Sequence, residues 1–139
     1  NQNRYSIFDR TIESNGLKDT AARLHKGIIT FSPLAQGLLT DRYLHGIPAD
    51  SRVHTDGRFL KETDLTQEKL AKIRALNEMA AARGQTLAEM ALAWLLSHEE
   101  ITTVLIGASK TQQILDNIKA VQNTSFTAEE LAEIDRISK

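Results

Sequence analysis

Gly27-Ile28-Ile29-Thr30-Phe31-Ser32-Pro33 sets four consecutive apolar or β-branched residues between a glycine and a Ser-Pro stop. A strand wetted on one face alternates polar and apolar positions, so this unbroken run predicts a strand covered on both faces, as in a parallel sheet. Just upstream, Leu17, Ala21 and Leu24 recur at i, i+4 and i+7 as one face of a helix that Gly27 closes, and before it Tyr5-Ser6-Ile7-Phe8 is short and β-prone. Downstream, Thr102-Thr103-Val104-Leu105-Ile106, ended by Gly107, repeats the buried-strand pattern.

Two helices lie between these strands. Thr66 caps the first, Gln67 and Glu68 occupy its opening turn, Leu70, Ile73, Leu76, Asn77 and Ala80 share one face, and Gly84 stops it. Thr86-Leu87-Ala88-Glu89 is a capping box with Leu87, Met90, Ala91, Trp94 and Leu95 behind it, so Met90 and Trp94 belong to the core. Ser109 with Gln112 predicts a further box and a helix with Ile114, Leu115, Ile118 and Val121 on its apolar face; Thr127 with Glu130 opens a last helix through Leu131, Ile134 and Ile137. Strands alternating with helices imply βα units with right-handed crossovers, an α/β fold. An open sheet suits the order, and so does part of a barrel: three strands cannot close one, and eight take roughly 250 residues. An incomplete chain is therefore expected from 139 residues.

Composition narrows the function. Hydrophobic residues at 41% supply a core and charged residues at 25% are ordinary, which excludes intrinsic disorder. Seventeen Lys and Arg against eighteen Asp and Glu leave a net charge of −1, without the basic excess that nucleic-acid binding exploits. The lack of cysteine excludes thiolate nucleophiles and zinc-thiolate sites. No apolar run approaches the ~20 residues of a membrane span, and Asn1-Gln2-Asn3-Arg4 does not begin a signal peptide, so a cytoplasmic protein is expected, with no membrane partner.

Two segments can hold a ligand. Val104-Leu105-Ile106-Gly107-Ala108-Ser109-Lys110 runs a strand through a small turn into a capped helix, whose amides and dipole suit a phosphate; spacing alone favours a plain βα turn, and Lys110, Gln113 and Asn117 tilt the reading back toward the phosphate. Gln113 and Asn117, four apart, can offer side-chain amides from one helical face. Thr30-Phe31-Ser32-Pro33-Leu34-Ala35-Gln36-Gly37 places an aromatic, a hydroxyl and small residues at the other strand's carboxyl end, where α/β proteins hold ligands. Leu38 to about Leu65 reads as one long loop, either a functional lid carrying Arg42, Arg52 and Arg58 or a solvated insertion. The Rossmann GxGxxG, the HExxH metal motif and the GxSxG elbow are absent, and His25, His45, His54 and His98 show no ligand spacing, so no metal site is expected. Tyr5 and Tyr43 have no Lys or His nearby in sequence to tune them, and Glu99-Glu100 is expected to face water.

Gln2-Asn3-Arg4-Tyr5, Phe31-Ser32-Pro33-Leu34-Ala35-Gln36-Gly37 and Ile106-Gly107-Ala108-Ser109-Lys110-Thr111-Gln112-Gln113-Ile114-Leu115-Asp116-Asn117 together resemble the aldo-keto reductases, in the branch of potassium-channel β subunits and bacterial L-glyceraldehyde 3-phosphate reductases. The resemblance implies a (β/α)8 TIM barrel of which residues 1–139 are the C-terminal portion, about strands 6 to 8 with their helices. It implies an NADPH/NADP cofactor. Gln2 would bond the nicotinamide carboxamide, and Phe31 would stack on the ring, keeping the π face but losing the polar tip of the Trp or Tyr usual in relatives. Ser32, Pro33, Leu34, Ala35 and Gln36 would follow the pyrophosphate, Arg42 and Arg52 would clasp phosphates, and Gly107, Ser109, Gln113, Asp116 and Asn117 would hold the adenosine end with its 2′-phosphate.

The family's catalytic Asp, Tyr, Lys and His do not map onto this sequence, so no catalytic residue is assigned here. The implied activity is reduction of a small carbonyl substrate such as L-glyceraldehyde 3-phosphate or methylglyoxal, by a homo-oligomer. Two other readings stand beside it: a cofactor-sensing regulatory subunit like the channel β subunits, and a complete small α/β domain of another role.

Overall fold

The structure, a computed structural model, describes residues 1–45, 63 and 65–139. Strands β1 (Gln2–Arg4), β2 (Ile28–Phe31) and β3 (Ile101–Val104) form one parallel sheet in the order β1-β2-β3. Helices α1 (Thr11–Ser14) and α2 (Leu17–Arg23) join β1 to β2. Helices α3 (Gln67–Ala82) and α4 (Leu87–Leu96) precede β3, and α5 (Thr111–Asn117) and α6 (Ala128–Ser138) follow it. Consecutive parallel strands side by side with helical crossovers are the repeating unit of a (β/α)8 barrel.

The register sorts the sheet into two faces. Gln2 pairs with Ile29 and Arg4 with Phe31, and Ile29 with Thr103, so these five side chains share one face. On it Gln2, Arg4 and Thr103 are exposed and Ile29 and Phe31 half-buried. On the other face Ile28, Thr30 and Ile101 are buried, and the two isoleucines join Ile73, Leu76, Met90, Trp94 and Ile134 in the core. The helices therefore cover one face only, and the expectation of a strand buried on both sides holds for neither β2 nor β3.

Caps set the helix limits as the residue types dictate. Thr66, Thr86 and Thr127 each accept from the amide three residues on, at 3.1 Å in all three, and Glu130 returns the bond to the Thr127 amide at 2.9 Å. Gly84, at φ +73, ends α3 with its own amide on the Ala81 carbonyl and that of Gln85 on Ala80, a Schellman turn. Arg83 locks that turn to the start of α6 through Glu130 at 2.5 Å and the Ser125 carbonyl at 3.0 Å, with its guanidinium 3.8 Å from the Phe126 ring centre.

Several expectations are corrected. The first strand is Gln2–Arg4 rather than Tyr5–Phe8, because Ser6 turns the chain: its Oγ accepts from the amides of Phe8 (3.2 Å) and Asp9 (3.0 Å) and its backbone exchanges bonds with Asp9. Tyr5 and Ile7 are buried there without belonging to the sheet. Gly27 does not close α2; His25 takes the left-handed position at φ 54, and Lys26 reaches back to the Ala21 carbonyl at 2.8 Å. Strand β3 stops at Val104, leaving Leu105 44% and Ile106 37% exposed.

The α5 region departs furthest. The helix ends at Asn117 and passes into a 3-10 turn over Ile118–Gln122, and Ile114, Leu115, Ile118 and Val121 face outward. Nothing among the described residues covers that apolar stripe. Leu38, Leu39 and Tyr43, read from sequence as loop, are buried core residues, while residues 46–62 and 64, with Arg52 and Arg58 among them, lie outside the described residues.

Candidate functional site

Of the expected ligand residues, Phe31 to Gln36 and Gly107 to Asn117 follow along the carboxyl ends of β2 and β3, while Gln2 opens β1. Gln2 and Phe31 stand on the open face, related by the register that pairs Gln2 with Ile29 and Arg4 with Phe31. Beyond Phe31 the chain enters a strained turn: Ser32, Ala35 and Gln36 have φ of 53, 48 and 60, a left-handed backbone in which any Cβ crowds the following carbonyl oxygen. Gly37, at φ +95, completes it. Buried Pro33 and the core residues Leu38, Leu39 and Tyr43 hold both ends, and the Leu34 carbonyl accepts from the amides of Gly37 and Leu39, both at 3.0 Å. Three strained non-glycine residues in five positions are held there by these anchors.

A cleft of about 470 Å³ opens beside this turn, lined by Arg4, Ser6, Asp9, Ser32, Gln36 and Lys69 among others. Arg42 follows in a 3-10 turn over Asp41–Tyr43 whose first amide bond is made by Thr40: the Thr40 Oγ1 accepts from the Arg42 amide at 3.1 Å and donates to the Gly37 carbonyl at 2.6 Å. Arg42 is thereby tied to the strained turn. Arg52 lies outside the described residues.

The adenosine-end group collects at the end of β3. The Leu105 amide donates to the Thr30 carbonyl at 2.8 Å, which carries the β3 terminus alongside that of β2. The expected cap is reassigned. Helix α5 has Lys110 at its N-cap, and the Gln113 Oε1, not Ser109 or Gln112, accepts from the amides of Ser109 (2.8 Å) and Lys110 (3.3 Å) and from the Ser109 hydroxyl (3.3 Å). The amides expected to face a phosphate are thus bonded by the chain's own glutamine. Asp116 is held by Gln112 at 2.9 Å and Lys119 at 3.5 Å, and Asn117 is buried. A Cβ on Gly107 would meet nothing within 4 Å, and its φ is not left-handed, so no internal contact requires glycine there.

A second cluster, missed by the sequence reading, lies behind the sheet. The buried Tyr5 hydroxyl donates to Glu13 and stands 3.4 Å from the His98 Nε2, 93 residues away. His98 Nδ1 is 2.8 Å from the Trp94 carbonyl, and Arg10 bridges Glu13 (3.2 Å) to Asp135 (3.0 Å) with its guanidinium 4.3 Å from the Trp94 ring centre. Arg10, Glu13, Trp94, His98 and Asp135 line a cavity of about 380 Å³ with Lys18 and Asp19. The one sequence signal was Trp94 and His98 at i, i+4; Tyr5 gave none. Glu100, expected in water, is half-buried and lies 3.9 Å from Lys18.

Burial chiefly, and the Lys18 charge next, hold the His98 imidazole below its ordinary pKa of 6.5, against the raising pull of the Trp94 and Leu95 backbone and of Glu13. Burial and Glu13 push the Tyr5 phenol far up, so it stays protonated. The neutral His98 fixes a sign. As pH falls below 6.5 the unfolded chain takes up a proton that the folded state refuses, so stability is full above that pH and declines beneath it. Urea midpoints are expected to fall between pH 7 and 5, and to fall less in His98→Gln; equal pH slopes would remove His98 from the account.

Among the described residues no helix is long and apolar enough to cross a membrane, and no group of three or more His, Cys, Asp or Glu is placed to hold a metal ion. A sequence model of the aldo/keto reductase family matches residues 1–139. An L-glyceraldehyde 3-phosphate reductase of Escherichia coli O157:H7 is 49% identical over 138 residues, covering 97% of this chain and 40% of that protein. A probable voltage-gated potassium channel subunit beta of Oryza sativa subsp. japonica is 35% identical over 122 residues, covering 86% and 37%. The holo form of an aldo-keto reductase from Bacillus halodurans superposes with a TM-score of 0.72 at 28% identity, covering 99% of this chain and 42% of that one. The chain thus spans about two fifths of the length of the curated relatives it matches. With a family match over its whole length, on a parallel βα sheet whose strand ends carry the expected turn, the chain belongs to the aldo/keto reductase family.

Proposed function

We propose that residues 1–139 are the C-terminal portion of one barrel domain, and that the whole protein uses NADPH to reduce small aldehydes or ketones to alcohols. The observation that carries this reading is the open sheet face on which Gln2 and Phe31 stand together, bordered by the strained Ser32–Gln36 turn. A half-buried aromatic ring gives a nicotinamide a flat surface to stack on, and the Gln2 side chain on the same face supplies amide groups for its carboxamide. When bound, the cofactor supplies the hydride. This chain's own residues bind and orient it: the 32–36 turn and Arg42 at the pyrophosphate, Gly107, Ser109, Gln113, Asp116 and Asn117 at the adenosine end. Gly107, which nothing internal requires, leaves room for close backbone approach.

The relatives' names suggest L-glyceraldehyde 3-phosphate, and methylglyoxal is of similar size; cytoplasmic location and a homo-oligomer complete the proposal. The channel subunit's 35% identity supports a second reading, a nucleotide-holding regulatory subunit with little turnover. NADPH oxidation by the full-length protein with these aldehydes tests the first, and an intact mass above 15.5 kDa supports the assignment of this chain to a larger barrel. Ser109→Ala is expected to weaken NADPH about tenfold, the worth of one hydrogen bond to a charged group, and NADH far less. Equal losses in titrations with the two nucleotides would move Ser109 away from the 2′-phosphate.

A further inference from the structure

We propose that Arg4 is a specificity-determining residue that binds the phosphate of a phosphorylated aldehyde in the cleft at the carboxyl end of β1, an assignment that rests on the reductase reading. Arg4 pairs with Phe31 in the register, so both side chains leave the open face, and its guanidinium lies 5.8 Å from the Phe31 ring centre. A substrate that lies in the cleft next to a nicotinamide stacked on that ring meets Arg4 in the cleft wall. Two arginines packed into the fold are committed elsewhere: Arg10 pairs with Asp135 at 3.0 Å and Arg83 with Glu130 at 2.5 Å. Arg4 makes no ion pair among the described residues.

The cleft around it is built to receive an anion. Ser6, 1% exposed, lines it, and because the Ser6 Oγ accepts from the amides of Phe8 and Asp9 at 3.2 and 3.0 Å, its hydrogen is left to donate. Lys69 reaches the same cleft from the first turn of α3, its ammonium 4.1 Å from the Phe8 ring centre. Asp9 also lines it, with its Oδ1 accepting from the Thr11 amide (3.2 Å) and hydroxyl (2.8 Å); among the described lining residues the charged groups are Arg4, Lys69 and Asp9. A guanidinium fork matches two phosphate oxygens, the ammonium adds a point charge, and the hydroxyl supplies a further donor. An uncharged aldehyde gains none of these. The volume of about 470 Å³ admits a small phosphorylated carbonyl compound.

The test is steady-state kinetics of the full-length protein at saturating NADPH with glyceraldehyde 3-phosphate and with unphosphorylated glyceraldehyde. Arg4→Ala is expected to lower the ratio of kcat/KM for the phosphorylated over the plain aldehyde about tenfold, mainly through KM, and Arg4→Lys to restore part of it. An equal fall for both aldehydes, or weaker NADPH binding as the sole effect, would overturn the proposal. If neither aldehyde is reduced, the reductase reading fails, and inorganic phosphate titrated against the Arg4 Nε–H resonance decides the anion site alone. A saturable shift supports it, and no shift overturns it.

Discussion

Arg10→Ala is expected to destabilise the protein by about 3–5 kcal/mol, the cost of removing one member of a largely buried ionic network. The Arg10 side chain is only 14% exposed, and its donors are distributed over three parts of the fold. Nη1 meets Glu13 in α1 at 3.2 Å and Asp135 in α6 at 3.0 Å; Nη2 donates to the Ser138 hydroxyl at 3.2 Å; Nε donates to the Ile7 carbonyl at 3.0 Å. The guanidinium also covers the Trp94 ring of α4 at 4.3 Å. Truncation leaves Glu13 beside the protonated Tyr5 hydroxyl with no cation, and strips the polar lid from a buried indole. Because Asp135 is nearly half exposed, water compensates part of its loss, which places the effect toward the lower end of the range. Urea unfolding of Arg10→Ala beside Arg136→Ala checks this. Arg136 is exposed and bonds only Glu133 three residues away in the same helix, so its removal is expected to leave the midpoint within experimental scatter. Equal small shifts for the two variants would show that the network holds nothing together.

The contrast between Arg10 and Arg136 also marks what a sequence discloses. Contacts within a helix or a turn are written in local spacing: the caps at Thr66, Thr86 and Thr127 and the Schellman glycine at Gly84 are read correctly because each involves partners within a few residues. The strand Ile28–Phe31 is legible for the same reason. Tyr5 meeting His98 across 93 residues leaves no such trace, and neither does Arg10 reaching Asp135. Burial is the second weakness, since a hydrophobic period says which residues prefer cover and not what provides it. Leu38, Leu39 and Tyr43 find cover in the core from a segment without periodicity, while the well-patterned Ile114, Leu115, Ile118 and Val121 find none among the described residues. In the candidate site the residue list came from resemblance, and geometry altered its roles. Gln113 spends its carbonyl oxygen on its own helix, and Arg4, part of the Gln2–Tyr5 motif but given no role there, stands beside Phe31.

Gly27→Ala is expected to cost about 1 kcal/mol, the lower end of the range for overpacking because Gly27 and Thr102 are both exposed, and for a reason unrelated to helix termination. A Cβ at position 27 would lie 2.0 Å from the Thr102 Oγ1 and 3.2 Å from its Cβ. Gly27 precedes β2, and Thr102 sits in β3 at the irregularity in the pairing of those strands, so relief of the clash requires the Thr102 side chain to rotate and its Cβ to give by a few tenths of an ångström. The two explanations of this glycine predict different rescues. Were it the terminator of α2, alanine would be harmful whatever stands at 102. Close approach predicts that Gly27→Ala with Thr102→Ala recovers most of the loss, because the 2.0 Å contact disappears and the remaining one at 3.2 Å needs a shift of only a few tenths of an ångström. A double-mutant cycle on unfolding midpoints separates them, a coupling near zero counting against close approach. The consequence extends to the candidate site, because β2 and β3 end in the two segments assigned to the cofactor, and the Leu105–Thr30 bond of 2.8 Å sets them side by side. If the proposed nucleotide site at the carboxyl edge of the sheet depends on that alignment, the single variant loses nucleotide affinity and the double variant regains it.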